Sequence, residues 1–161
     1  MGHRPTVTVI VPAFNAEATL EPCLEAIASA VRPGDEVILY DDGATDRTHA
    51  MATAAGIRIL RNTGKPCGPA HGRNAAAAAA TSDLLLFVDA DVVIAADTLE
   101  RLCDEISGTG AIAAFGSYDD CPRSNRFTSL YANLRHHYVH QHGPRDATTF
   151  WSGIGMIDRK A

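Results

Sequence analysis

Asp89 and Asp91 stand one residue apart, directly after the apolar run Leu84-Leu85-Leu86-Phe87-Val88. A side chain at the carboxyl end of a buried strand faces the crevice where open α/β sheets take their ligands. A hard divalent cation there needs oxygen ligands and keeps part of its shell for phosphate. A second acidic cluster, Asp41-Asp42-Gly43-Ala44-Thr45-Asp46, follows another strand-like run, so both clusters are expected on one sheet edge. Carboxylates repel a bare polyphosphate. The pairing makes chemical sense if one cluster holds a metal and the other accepts hydrogen bonds from N–H groups of a base or sugar. Asp46 suits a helix cap and Asp41 a turn, which leaves Asp42 as the carboxylate aimed at a ligand.

Between the clusters lies a loop carrying Gly64, Gly68 and Gly72 and leading into a helix. Glycine lets backbone approach a ligand closely, and a helix start favours anions. Arg73 and Asn74 fall just inside that helix, where Arg73 either reaches a phosphate or braces an aspartate as its counter-charge.

The elements that must position these residues can be read from periodicity. Residues 6–11 are rich in β-branched side chains and end at Pro12, so they predict a central strand stopped by a residue that cannot donate to a ladder. Leu20, Cys23, Leu24, Ile27 and Val31 then recur at three and four residue steps, one stripe of a helix that begins near Asn15 or Thr19 and stops before Pro33-Gly34. Strands are predicted at 36–40, 57–60, 84–88 and 111–116, and helices at 46–55, 70–80 and 97–106, with a further helical repeat of Leu130, Tyr131, Leu134 and Tyr138 from Phe127 onward. Strands alternating with helices imply an α/β, Rossmann-like, mostly parallel sheet with helices on both faces. No linker or change of composition divides the chain, so residues 1–161 read as one domain, with 1–116 the ligand-binding half and 117–161 the start of a second half.

With 161 residues, 46% of them apolar, the chain can bury a real core. Its formal net charge of -5 leaves no general basic footprint for nucleic acid. Cys23, Cys67, Cys103 and Cys121 form no C-x-x-C pair and read as reduced packing residues. No run approaches the roughly 20 apolar residues that span a bilayer, and residues 7–11 are too short for a signal sequence. A cytoplasmic protein is expected, with peripheral association at the inner face of a membrane left open.

Taken together, these segments resemble the family 2 nucleotide-sugar glycosyltransferases of the GT-A fold. Val9-Ile10-Val11-Pro12-Ala13-Phe14-Asn15-Ala16-Glu17 looks like the family's donor-binding start. Asp41 to Asp46 is similar to its D-D-G-S-T-D element with Ala44 in place of serine; Gly68 to Asn74 resembles its glycine loop ending in Arg-Asn; and Asp89-Ala90-Asp91 looks like its metal-binding D-x-D. The likeness covers roughly the first 115 residues.

The resemblance implies that Pro12, Ala13, Phe14 and Glu17 line a nucleotide pocket, that Asp42 accepts from the base, and that Gly68, Arg73 and Ala90 belong to the same site. Asp89 would serve the ribose or sugar side, and Asp91 would coordinate Mg²⁺ or Mn²⁺ on the diphosphate. Asp89 and Asp91 are then both the catalytic and the metal residues. The implied reaction is inverting, metal-dependent transfer from a nucleoside-diphosphate sugar, a UDP-sugar favoured, to a hydroxyl of a saccharide or lipid-linked acceptor. An inverting transferase also needs a general base. The family supplies it well downstream, and none of Asp119, Asp120, Asp146 or Asp158 sits in a matching motif. The fold is therefore expected to be truncated at the C-terminus, and an incomplete sheet edge would suit pairing with another copy.

His136 and His140 lie four apart and could bind zinc, but no third ligand stands at a recognisable spacing. Leu130, Leu134 and Tyr138 are expected to pack, while His136, His137, His140 and His142 ring the acceptor side or the surface. Phe150, Trp151 and Met156 read as core or acceptor wall. Two other functions compete with transfer. One is a nucleotide-sugar binding module without turnover. The other is a haloacid-dehalogenase-type phosphohydrolase with Asp89 as nucleophile, against which stands the lack of a downstream Lys and acidic pair.

Overall fold

A computed structural model describes residues 4–120, 126–143 and 153–161. Its order is β1 (Val7–Ala13), α1 (Leu20–Ala30), β2 (Glu36–Asp41), α2 (Thr48–Ala54), β3 (Arg58–Arg61), α3 (Pro69–Ala79), β4 (Leu84–Val88), α4 (Thr98–Thr109), β5 (Ala113–Phe115), α5 (Phe127–His142) and β6 (Ile154–Asp158). The six strands form one sheet in the order β3-β2-β1-β4-β6-β5. Five run in one direction, while β6 enters antiparallel between β4 and β5.

The strand sequences explain the layering. All of β1 is buried, as expected of an apolar strand covered on both faces. Val7, Val9 and Val11 join Leu84, Leu86 and Val88 in a core with Leu20, Leu24 and Ile27 of α1 and Leu99 and Leu102 of α4. Ile10, Ile38 and Leu85 point the other way, onto Ala76 and Ala80 in and just after α3. The alanine run thus lets α3 lie close against the sheet. Leu86 has no exposed surface, so Leu86→Ala is expected to cost about 2–5 kcal/mol, measurable by urea denaturation.

Several expectations need correction. Pro12 does not stop β1, which continues to Ala13 beside Asp41. Pairing between β1 and β4 ends at Ile10, and the Ala13 carbonyl bonds towards β2 through the Asp42 amide. Pro12 therefore faces the side where no donor is needed. The packing expected of α5 is reversed. Leu130, Leu134 and Tyr138 are exposed and no residue of this helix is buried. The inward row is polar: Asn133 and His137 bond the carbonyls of Asp119 and Tyr118, and Gln141 bonds the Ser117 hydroxyl. Met156 is core, whereas Phe150, Trp151, Cys121 and Asp146 lie outside the described residues. Among those described, no helix is long and apolar enough to cross a membrane.

Candidate functional site

The carboxyl ends of β2, β1 and β4 lie side by side because these strands are parallel neighbours. This arrangement brings Asp42, Ala13 and Asp89 to one edge. Asp42 extends the ladder, its amide donating to the Ala13 carbonyl at 2.9 Å. Asp41, just before it, is fully buried and holds the turn: it accepts from the Ala44 amide at 2.7 Å and pairs with His49 at 3.0 Å and Arg61 at 3.2 Å. Asp46 accepts the Thr48 amide at 2.9 Å at the entry to α2. Asn15, the one non-glycine residue with positive φ among those described, accepts the Thr45 amide and ties the turn after β2 to the end of β1. Asparagine tolerates that backbone conformation better than most residues.

Asp42 works through the glycine loop. Its carboxylate accepts from Asn62 Nδ2 at 2.8 Å, from the Cys67 amide at 2.9 and 3.1 Å, and from the Gly68 amide at 2.7 Å. Both oxygens are thus engaged in fastening the chain just before α3. Gly68 takes φ +87° at this junction, which glycine adopts without steric cost. Burial alone would raise the Asp42 carboxyl, but the bonds from Asn62, Cys67 and Gly68, with His71 nearby, outweigh it and hold the pKa below its ordinary 3.8. The sign of the resulting pH dependence follows. Asp42's contribution to stability is complete above that ordinary value and disappears as pH falls through the lowered one. Acid denaturation at stepped pH should therefore show the stability gap between wild type and Asp42→Asn closing only below about pH 4.

A cavity of about 170 Å³ opens beside this fastening. It is lined by Pro12, Ala13 and Phe14 from the end of β1, Tyr40 and Asp42 from the end of β2, and Pro66, Gly68 and Pro69 from the glycine loop and the start of α3. Its volume is below the roughly 300 Å³ at which drug-sized pockets begin, and it suits a single planar ring system. Of the sequence candidates, Pro12, Ala13, Phe14, Asp42 and Gly68 meet here. Glu17 turns aside, its carboxylate accepting from the Arg47 backbone amide at 3.0 Å and pairing with the guanidinium at 2.9 Å. Tyr40 was not foreseen. Its ring lies so close to Gly72 that a Cβ there would come within 2.6 Å of it. Gly72→Ala must displace this wall at about 1–3 kcal/mol of stability, a loss that urea denaturation would read.

Helix α3 links the cavity to the second cluster. It begins at Pro69, next to the loop residues bound to Asp42, and four residues on its Arg73 pairs with Asp89 Oδ1. Of the two roles foreseen for Arg73, the structure places it on the aspartate. Asp89 is half-buried, Ala90 half-buried in the turn, and Asp91 exposed. Under them the Cys23 thiol lies 3.6 Å from the Asp89 carbonyl, pushed up to about 12 by burial and by Asp91 and Asp89. It is an inert packing residue. Among the described residues no three His, Cys, Asp or Glu side chains converge as a metal cage. Two carboxylates at a strand end, one already steadied by an arginine, could supply part of the oxygen shell of a hard divalent cation, whose other ligands would have to come from outside the protein.

Past Asp89 the edge continues to β6 and β5. Val88 pairs with Ile154, so Gly153 stands beside Asp89, its carbonyl accepting the Asp89 amide at 2.9 Å. Tyr118, three residues beyond β5, reaches the same place. A Cβ on Gly153 would lie 3.6 Å from the Tyr118 hydroxyl and 3.7 Å from Asp89 Oδ2. Burial raises the Tyr118 phenol, Asp91 and Asp89 adding to the effect. Neither residue stood out in the sequence, because their proximity depends on the insertion of β6. Asp158, by contrast, pairs with Leu84 at the far end of β4, away from this edge.

The family model described as glycosyl transferase family 2 matches residues 8–161. Glucosyl-3-phosphoglycerate synthase of Mycobacterium tuberculosis is 36% identical over 95 residues, 55% of this chain and 29% of that relative. A mannosyltransferase from Pyrobaculum calidifontis, solved in complex with GDP-Man and Mn²⁺, superposes with a TM-score of 0.76 at 26% identity, over 98% of this chain and 46% of that one. The M. tuberculosis synthase in complex with UDP gives 0.68 at 26% identity, over 97% and 57%. The chain thus spans less than a third of the synthase sequence it matches and about half of these solved chains.

Proposed function

Because the chain belongs to glycosyl transferase family 2, we propose that it binds a nucleoside-diphosphate sugar along the carboxyl edge of its sheet and serves metal-dependent, inverting transfer of the sugar to an acceptor hydroxyl. The observation that carries this reading is the continuous unit from Asp42 through Gly68 and α3 to Arg73 and Asp89. One helix sets the spacing between a ring-sized cavity and a pair of carboxylates, as a ligand with a base at one end and a diphosphate at the other requires.

The base enters between Pro12, Tyr40 and the Pro66–Pro69 loop, with Phe14, exposed at the mouth, closing over it. Asp42 acts mainly through the loop, and a base N–H reaches its carboxylate by sharing an oxygen already bonded to Cys67 or Gly68. Asp91, with Asp89, holds Mg²⁺ or Mn²⁺. The bound cation supplies neutralisation of the charge that develops on the departing diphosphate. Arg73 keeps Asp89 Oδ1 occupied and leaves Oδ2 on the side of Gly153 and Tyr118. Uridine and guanosine diphosphates are the nucleotides to test first, since relatives of this fold were solved with UDP and with GDP-Man.

Calorimetric titration of the chain with UDP and GDP, with and without Mn²⁺, tests the reading. Binding of at least one nucleotide strengthened by the metal is expected, and failure of both to bind under either condition would overturn it.

A further inference from the structure

The order of the strands along the edge assigns positions to the parts of the ligand. The cavity sits at the ends of β2 and β1, the carboxylates follow at β4, and Gly153 and Tyr118 come next at β6 and β5. If the base lies in the cavity and the diphosphate at Asp91, the sugar falls over Gly153. What converges there is a matched set. Asp89 Oδ2 is an acceptor, the Tyr118 hydroxyl is a donor, and both lie within 4 Å of the point where a Cβ on Gly153 would stand, with Val92 Cγ2 on a third side at 2.9 Å. A sugar hydroxyl is itself donor and acceptor and needs both partners.

Tyr118 is also held. Its ring stacks on His136 at 5.4 Å, with His140 at 5.9 Å, and its carbonyl is bonded by His137 at 2.6 Å. The inward polar face of α5 thus fixes the phenol beside Gly153 and Asp89. This explains why that helix turns histidines rather than leucines to the protein.

Resting on the nucleotide-sugar reading above, we propose that Tyr118 selects the donor sugar by donating its hydroxyl to a sugar hydroxyl that Asp89 accepts, and that His136 positions the Tyr118 ring. Gly153, having no side chain, lets the Tyr118 hydroxyl and Asp89 Oδ2 come together at this point. The consequence is that Tyr118 distinguishes a nucleotide sugar from the bare nucleoside diphosphate, which ends at the phosphates.

Calorimetry with Mn²⁺ on the full chain tests this, using UDP and GDP beside UDP-glucose, UDP-N-acetylglucosamine and GDP-mannose. Tyr118→Phe should leave diphosphate affinity within about twofold while weakening the best-bound nucleotide sugar about fivefold, the worth of one hydrogen bond. Gly153→Ala, whose Cβ would press on Val92 Cγ2 at 2.9 Å and stand against both polar groups, should do the same by forcing the pair apart. His136→Ala should follow Tyr118→Phe, and His136→Phe, which restores the stacked ring, should recover most of the loss. Equal weakening of diphosphate and sugar nucleotide, or no weakening of either, would overturn the assignment while leaving the proposed function standing. A wild-type chain that binds no nucleotide at all would remove both.

Discussion

Asp91→Asn is expected to erase the gain in nucleoside-diphosphate affinity that Mn²⁺ gives the wild-type chain, leaving the metal-free affinity nearly unchanged. Asp91 is exposed at the strand end, so the substitution does not disturb the core. The amide keeps the shape and loses the charge that a hard cation requires. In a sugar-transfer assay the loss should reach about a hundredfold or more, since metal stabilisation of a leaving diphosphate amounts to several kcal/mol and each 1.36 kcal/mol is a factor of ten. Parallel titrations of wild type and variant with UDP, at zero and saturating Mn²⁺, read the effect. An unchanged metal dependence would show that the cation binds elsewhere.

Asp42→Ala should act at the other end of the ligand and leave the metal effect in place. Its carboxylate fastens Asn62, Cys67 and Gly68, and hydrogen bonds to a charged group contribute about 1.5–3 kcal/mol each. Without it the Pro66–Pro69 wall of the cavity loses its anchor. Nucleotide affinity should fall about a hundredfold, with Mn²⁺ still strengthening what binding remains. Hydrogen exchange provides a second reading: the Cys67 and Gly68 amides should lose protection in the variant, while amides of β1 keep theirs.

How much of this was legible beforehand differs from element to element. The buried strands read well because their runs were continuous: residues 84–88 matched β4 residue for residue. The placement of Asp42 and Asp89 on one edge followed from strand alternation, since parallel strands must share their carboxyl ends. Pro12 misled because the rule against proline in a central strand concerns a missing donor, and β1 at that point has no partner on the side where the donor would be used. Helix α5 misled for a different reason. Periodicity located the stripe of Leu130, Leu134 and Tyr138, but which face turns inward was decided by hydrogen bonds to Ser117, Tyr118 and Asp119, residues that a helical period does not see. Tyr40, Tyr118 and Gly153 were missed because each owes its place to an approach across strands. Gly72 and its arginine neighbour were noticed in the glycine loop, yet the reason for Gly72, the tyrosine ring pressed against it, exists only in the fold.

The central claim is that one ligand spans from the Asp42 cavity to Asp91. The most direct measurement is a crystal structure of the chain grown with Mn²⁺ and whichever of UDP or GDP binds more tightly. The expected result has the base between Pro12, Tyr40 and the Gly68 loop and the metal on Asp91, bridging to the diphosphate. A nucleotide bound away from that cavity, or a metal on the α5 histidines with none at Asp91, would contradict the account.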